Sequence, residues 1–112
     1  MAKVIISKSL EEEILRKFKS EAEEIFLFMK TLENQPQKGK SIGHVAEVVI
    51  KELKYKKFRL YFITDGYMLK FGTSDELASL LIKFVRMSEK KNQQRTINEI
   101  KIILKSLGLE GL

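Results

Sequence analysis

Two hydrophobic segments with a short basic link dominate the middle of the chain, where residues 45–63 read Val-Ala-Glu-Val-Val-Ile-Lys-Glu-Leu-Lys-Tyr-Lys-Lys-Phe-Arg-Leu-Tyr-Phe-Ile. Branched aliphatic and aromatic residues are typical of β-strands. We therefore predict strands over residues 45–55 and 58–63, joined by a tight turn over Lys56 and Lys57. Alternate side chains of a strand point to opposite faces of its sheet. The second strand would thus present Phe58, Leu60 and Phe62 to one face, and Arg59, Tyr61 and Ile63 to the other.

The residues before this hairpin predict a strand followed by helices. Residues 3–7 are short and β-branched, which favours a first strand. Ser-x-x-Glu capping boxes begin at Ser9 and Ser20, and apolar residues at helical spacing follow each box. These patterns indicate two helices hinged near Ser20, or one bent helix, ending near Glu33. Pro36 follows, and proline does not continue a helix.

The residues after the hairpin are less uniform. Asp65-Gly66 is a strong turn signal and predicts a second hairpin, with residues 67–71 as the returning strand. Residues 77–87 fit either a helix or a buried strand, because periodicity does not separate the two in so short a run. From Asn92 an apolar stripe predicts a helix that ends at Gly108.

These elements predict one α+β domain over residues 1–112, with an N-terminal helical pair packed on a twisted, mainly antiparallel sheet and a C-terminal helix. The sequence has no cysteine and a single histidine, His44, which argues against disulfides, thiolate zinc sites and a Ser-His-Asp triad. No apolar run is long enough to span a bilayer, and the apolar opening is too short for a signal peptide. We expect a cytoplasmic protein with no membrane partner, metal or cofactor.

Positive charge is concentrated in the second part of the chain. Residues 1–34 hold six Lys or Arg and seven Glu, whereas residues 35–112 hold fifteen Lys or Arg and eight Asp or Glu. This asymmetry suggests a face that meets a polyanion, although a solvated lysine surface is an open alternative. The basic residues form two clusters, Lys51, Lys54, Lys56, Lys57 and Arg59, and Lys83, Arg86, Lys90, Lys91 and Arg95.

Arg59 is the candidate with the most specific chemistry. A guanidinium on a rigid strand with lysines nearby suits a phosphodiester, which it can bind and whose developing charge it can stabilise. Aromatic residues such as Tyr61 or Tyr67 could stack an unpaired base. Two structural alternatives stay open: Arg59 pairs with a carboxylate such as Glu52, and the aromatic rings belong to the core. The first interpretation requires Arg59 to be exposed, and an enclosed Arg59 matched by a carboxylate would contradict it.

The order of elements and two local motifs resemble the RelE/ParE toxin superfamily. Residues 49–62 are similar to the family's hairpin of glutamate-leucine, basic turn and aromatic-arginine. Residues 81–90 are similar to the phenylalanine-x-lysine-lysine-serine-x-lysine stretch of the HigB-like and phage-derived branches. The resemblance covers most of the chain when it is taken in order, and it implies the family's α+β fold.

The resemblance also implies a function. It indicates a toxin of a type II toxin-antitoxin system, in the first place a metal-independent endoribonuclease that cleaves mRNA on the ribosome. The implied partners are the cognate antitoxin and ribosome-bound mRNA, and the free chain would be a monomer or a weak homodimer. Two alternatives accompany it: a non-catalytic protein of this fold that binds DNA gyrase or another protein, and a small RNA-binding accessory protein.

By position, Arg59, Lys54 and Arg86 match the basic residues that act on the phosphate in the family. The chain departs from the family pattern at Glu52, where the cleaving branch has a catalytic lysine, and it has no tyrosine after Tyr67. An additional segment near residues 67–76 predicts an inserted hairpin or helix. The predicted RNA contacts are Lys51, Lys56, Lys57, Lys83, Lys90, Lys91 and Tyr61.

Overall fold

The computed structural model describes the backbone of residues 1–112 and the side chains of all of them except 109 and 110. One five-stranded sheet has the order β1-β5-β4-β3-β2, in which β1 runs parallel to β5 and the other neighbours are antiparallel. The predicted α+β architecture is confirmed. The strands are β1 (Lys3–Ile6), β2 (Lys40–Val45), β3 (Val48–Tyr55), β4 (Phe58–Asp65) and β5 (Leu81–Glu89). The helices are α1 (Lys8–Phe18), α2 (Ala22–Lys30), α3 (Gly66–Phe71), α4 (Ser74–Leu77) and α5 (Gln93–Leu107).

Helices cover both faces of the sheet, so the protein has two apolar layers rather than one shared core. Helices α1 and α2 pack on the face that carries Leu60 and Phe62, whereas α5 packs on the face that carries Tyr61 and Ile63. Six of the eight residues of β4 are therefore buried. Burying a large apolar side chain stabilises a fold by about 1.5–3 kcal/mol. The position of α5 decides the environment of every side chain on the second face.

The N-terminal helices have the predicted hinge but not the predicted caps. A 3-10 turn at Lys19–Glu21 separates α1 from α2. Helix α1 starts two residues earlier than expected, because its N-cap is Ser7, whose side chain accepts the N–H of Leu10 at 3.3 Å. The predicted box at Ser20 is wrong: α2 has no side-chain cap, and the N–H of Ala22 bonds back into the 3-10 turn.

The hairpin expected at Asp65-Gly66 is wrong, because α3 begins there. The Asp65 carboxylate accepts the N–H of Met68 at 3.0 Å and acts as an N-cap. A returning strand over residues 67–71 would need the edge of β4 that β5 already occupies, where Ile63 pairs with Lys83. The additional segment is thus two short helices, α3 and α4.

Two further elements differ from expectation or settle an alternative. A turn at Ala46 and Glu47 divides the predicted strand 45–55, and β2 on its N-terminal side was not predicted. The ambiguous residues 77–87 are strand from Leu81 onward. The C-terminal helix ends as predicted at Gly108, whose φ of 68° lies in the left-handed region. Among the described helices, none combines the length and apolar character needed to cross a bilayer.

Candidate nucleic-acid interface

One end of the sheet gathers basic side chains from several elements. The β3–β4 turn and the end of β5 lie side by side there, because Phe58 pairs with Glu89 in the strand register. The last turn of α1 joins them, since the ring of Phe18 lies 5.1 Å from that of Phe58. Arg95, in the first turn of α5, lines a cleft together with Phe58 and Glu89. We call this surface the basic end; its members are Lys17, Lys19, Lys54, Lys56, Lys57, Lys90, Lys91 and Arg95.

Most cations of the basic end have no carboxylate partner. Lys56 lies 2.7 Å from a carboxylate oxygen of Glu21, and Lys57 lies 3.8 Å from one of Glu89. For the other six, no carboxylate among the described side chains comes within 4.0 Å, and all six are exposed. This end of the molecule therefore has an excess of positive charge that no side chain in contact neutralises.

A polar cleft of about 260 Å³ between α1 and α5 adjoins these cations. Lys17 and Arg95 line it from opposite sides, but Glu13 and Glu99 line it as well. Because the cleft holds both signs of charge, an anion would meet unopposed positive charge at its rim rather than in its interior. The remaining lining residues are Phe58, Met87, Ser88, Glu89, Asn92 and Thr96.

The N-terminus of α5 carries basic residues, although acidic residues at this position would stabilise the helix more. Lys90 and Lys91 precede this helix, Arg95 lies in its first turn, and that turn contains no acidic residue. Asn92, at the N-cap, makes no side-chain capping bond. A helix N-terminus favours negative charge by about 0.3–1 kcal/mol. The N–H of Gln93 bonds back to the carbonyl of Lys90, so the cations are the groups that would attract an anion here.

Helix α1 has the usual arrangement of charges, with an acidic residue in its first turn and basic residues in its last. Its first turn carries Glu11, and its last turn carries Arg16 and Lys17. Both choices complement the helix dipole, so the stability of α1 explains these residues on its own. The cations at the start of α5 are therefore the more informative part of the basic end.

Arg59 is enclosed and matched by a carboxylate, which corrects the expectation that it is exposed. Its side chain is 12% exposed, and its Nε lies 3.6 Å from Oε2 of Glu52. The same oxygen accepts a hydrogen bond of 2.5 Å from the Gln93 amide. The physical reason is α5, which covers this face of the sheet and begins with Gln93. The contact with Glu52 and the cover of α5 leave Arg59 little exposed surface with which to meet a phosphate.

The other two predicted catalytic residues lie in different surroundings. Lys54 is exposed and stands directly opposite Arg59 in the strand register, so these two are brought together. Arg86 is half-buried in the middle of β5 and pairs in register with Tyr61 rather than with Arg59. Its guanidinium donates to the carbonyl of Val85 at 2.8 Å. The three residues do not converge on one accessible point.

Two of the predicted RNA contacts are buried. Tyr61 has no exposed surface, and its hydroxyl lies 2.8 Å from the Ser88 hydroxyl, so its ring cannot stack a base from solvent. Burial raises the pKa of Tyr61. Lys51 is 3% exposed and does not reach the surface that carries the other lysines. The predictions for these two residues as surface contacts are wrong.

The remaining RNA-contact predictions divide by position. Lys56, Lys57, Lys90 and Lys91 are exposed and belong to the basic end. Lys83 is half-buried and opposes Ile63, away from that end. Sequence reasoning missed Lys17 and Lys19, because a cation near a helix C-terminus is expected of any helix and carries no signal of a site.

Comparisons with protein-family models, with curated proteins and with solved structures give no match. The likeness to the RelE/ParE superfamily therefore stays a prediction from short motifs. Among the described side chains, no three His, Cys, Asp or Glu residues are grouped as a metal site would require. The geometry of the basic end is therefore the feature from which a function can be inferred.

Proposed function

We propose that this protein binds the phosphate backbone of RNA through its basic end and does not cleave it. The observation that supports the proposal is a group of six exposed cations that have no carboxylate within 4.0 Å among the described side chains, namely Lys17, Lys19, Lys54, Lys90, Lys91 and Arg95. RNA is preferred to DNA because the sequence motifs resemble RNA-cleaving toxins, and the cytoplasm is the proposed location.

The mode of binding follows from which groups are accessible. The rings at the basic end pack on one another: Phe18 contacts Tyr55 and Phe58, and Phe58 is 8% exposed. The hydroxyl of Tyr55 is bonded to Glu21. These rings offer little surface for base stacking, whereas the lysines are free to meet phosphates. Contacts to phosphate position a protein on nucleic acid but do not select a sequence, so we expect tolerant binding.

We expect no RNA cleavage because of the environment of the candidate catalytic groups. Arg59 is engaged by Glu52, and Glu52 is engaged by Gln93 as well. A carboxylate held in this way is poorly placed to accept a proton from a ribose hydroxyl. Tyr61 is buried, and its raised pKa keeps the phenol protonated. Neither Glu52 nor Tyr61 is thus available as a base, and the carboxylates that lie beside the exposed cations are Glu13, Glu89 and Glu99 of the cleft, which Arg59 does not line.

The test is a comparison of RNA affinities by fluorescence anisotropy at low salt. The triple variant Lys90→Ala/Lys91→Ala/Arg95→Ala should bind a labelled single-stranded RNA oligonucleotide about tenfold more weakly or worse. Lys105→Ala is the matched control, since Lys105 is an exposed cation at the far end of the same helix. Equal affinity of the triple variant and the control would contradict the proposal. Equal competition by duplex DNA would show that RNA is not the preferred partner.

A second candidate is the toxin function implied by the family resemblance. Two observations favour it: the element order of the resemblance is present, and Lys54 stands opposite Arg59. In this account an incoming phosphate displaces Glu52 from Arg59, and a cognate antitoxin covers the surface when the toxin is inactive.

Inducible expression with transcript mapping tests the second candidate. Growth arrest with cleaved transcripts, abolished by Arg59→Ala, would support an endoribonuclease on ribosome-bound mRNA. Arrest with intact transcripts would instead point to a protein target such as DNA gyrase. Normal growth on induction would leave the non-cleaving RNA-binding function as the better account.

A further inference from the structure

Lys51 is a buried amine with few partners. It lies on β3 opposite Phe62, is 3% exposed, and packs 5.8 Å from the centre of the Phe62 ring. Its Nζ donates to the carbonyl of Gln37 at 3.1 Å. No carboxylate among the described side chains lies within 4.0 Å of it. An unpaired ammonium is costly to bury, and the burial lowers the pKa of Lys51.

A cavity of about 250 Å³ adjoins this amine. Lys70 of α3 lines it together with Lys51, and the hydroxyl-bearing Ser41 lines the same space. Burial alone lowers the pKa of Lys51, and the exposed Lys70 adds a cation that can attract an anionic group from solvent to this cavity. The other lining residues are Gln37, Val49, Gly66 and Leu69.

We propose that Lys51 is a nucleophilic amine that forms an imine with a small aldehyde carrying a carboxylate, bound in this cavity. Desolvation of a lysine is one way in which proteins activate an amine as a nucleophile. Lys70 would attract the carboxylate, and the Ser41 hydroxyl would be available to the carbonyl oxygen. This proposal is independent of RNA binding, since Lys51 lies outside the basic end.

The reaction is a condensation that needs no oxidant. The lone pair of the neutral Nζ attacks the aldehyde carbon, the C–N bond forms, and the carbonyl π pair moves to oxygen. The attack leaves Nζ as an ammonium, and transfer of one of its protons to that oxygen gives a neutral carbinolamine. The carbinolamine then loses its hydroxyl as water as Nζ releases a proton, which leaves a C=N bond to Lys51.

Reductive trapping tests the proposal on the full chain. Glyoxylate with cyanoborohydride converts each imine to a carboxymethyl amine, and peptide mass spectrometry gives the rate at each lysine. We expect Lys51 to be modified faster than Lys54, an exposed lysine on the same strand, and this preference to vanish in denaturant. Faster modification of Lys54, or modification of Lys51 only after unfolding, would overturn the proposal.

A second variant tests the part assigned to the neighbouring cation. Lys70→Gln should slow the modification of Lys51 severalfold and leave that of Lys54 unchanged, while Lys105→Gln should change neither. Circular dichroism confirms that both variants fold. An unchanged rate at Lys51 in Lys70→Gln would show that the cavity does not recruit the carboxylate in the proposed way.

Discussion

Removing the guanidinium of Arg59 should destabilise the fold, because this residue is half of an enclosed ion pair. In Arg59→Met the Glu52 carboxylate loses its cation and keeps the Gln93 amide, while each member of the pair has only 12% of its side chain exposed. Leaving a largely buried charge without its partner costs about 2–3 kcal/mol. In a domain of this size such a loss lowers the Tm by roughly 8–15 °C.

The assay is urea unfolding followed by circular dichroism, arranged as a double-mutant cycle. Glu52→Met should also destabilise the fold, and Arg59→Met/Glu52→Met should be less destabilised than the sum of the two, since no charge is then left unpaired. Lys54→Met is the matched control: it stands opposite Arg59 but is exposed, so its change should stay within about 0.5 kcal/mol. A change of that same small size in Arg59→Met would refute the reasoning and leave Arg59 free for a ligand.

Three further outcomes can be measured on the purified chain. Hydrogen bonds from Lys56 and from a neighbouring tyrosine hydroxyl lower the pKa of Glu21 below its usual 4.5. These bonds therefore stabilise the fold above that pH, and their contribution to the unfolding free energy is lost as the pH falls below it. Glu21→Gln should therefore flatten the dependence of the unfolding free energy on pH in acid; an unchanged dependence would contradict this. Gly39 has a φ of 101°, and a Cβ there would lie 2.8 Å from the ring of Phe62. Gly39→Ala should therefore destabilise the fold by about 1–3 kcal/mol, measured by urea unfolding. An unfolding free energy equal to that of the parent would show that Phe62 moves to relieve the contact. Arg95→Glu should weaken RNA binding while changing the unfolding free energy by no more than about 0.5 kcal/mol, because the gain from the helix dipole is offset by repulsion from Glu99, Glu13 and Glu89 around the cleft. A loss well beyond that would show that Arg95 has a structural role.

The sheet and its helical layers could be predicted from local patterns. The alternation of Phe58, Leu60 and Phe62 against Arg59, Tyr61 and Ile63 is present in the structure, and so is the hinge between α1 and α2. Local patterns could not predict which helices cover which face of the sheet. The apolar stripe of α5 predicts a partner surface but not the side of the sheet on which that surface lies.

Because the position of α5 could not be predicted, the candidate site expected at Arg59 differs from the one in the structure. Arg59 was expected in solvent because its neighbours in sequence are basic, but α5 brings Gln93 over it and leaves it beside Glu52. The prediction of a hairpin at Asp65-Gly66 was wrong for a related reason. This sequence fits both a tight hairpin and a helix cap, and only the pairing of β4 with β5 decides between them.

Part of the basic end was within reach of sequence reasoning. Lys56, Lys57, Lys90 and Lys91 lie in two charge clusters of the sequence, and the antiparallel pairing of β4 with β5 unites them. Lys17 joins them only through the packing of α1 on the sheet, which no local signal specifies.

The salt dependence of RNA binding shows whether the basic end holds its ligand through phosphates. If the six unpaired cations of the basic end each neutralise one phosphate, the logarithm of the association constant should fall against the logarithm of salt concentration with a slope of about −4. In Lys90→Ala/Lys91→Ala/Arg95→Ala the slope should become shallower by about 2, whereas Lys105→Ala should keep the slope of the parent. A slope near zero in the parent, or the same slope in the parent and the triple variant, would contradict the account.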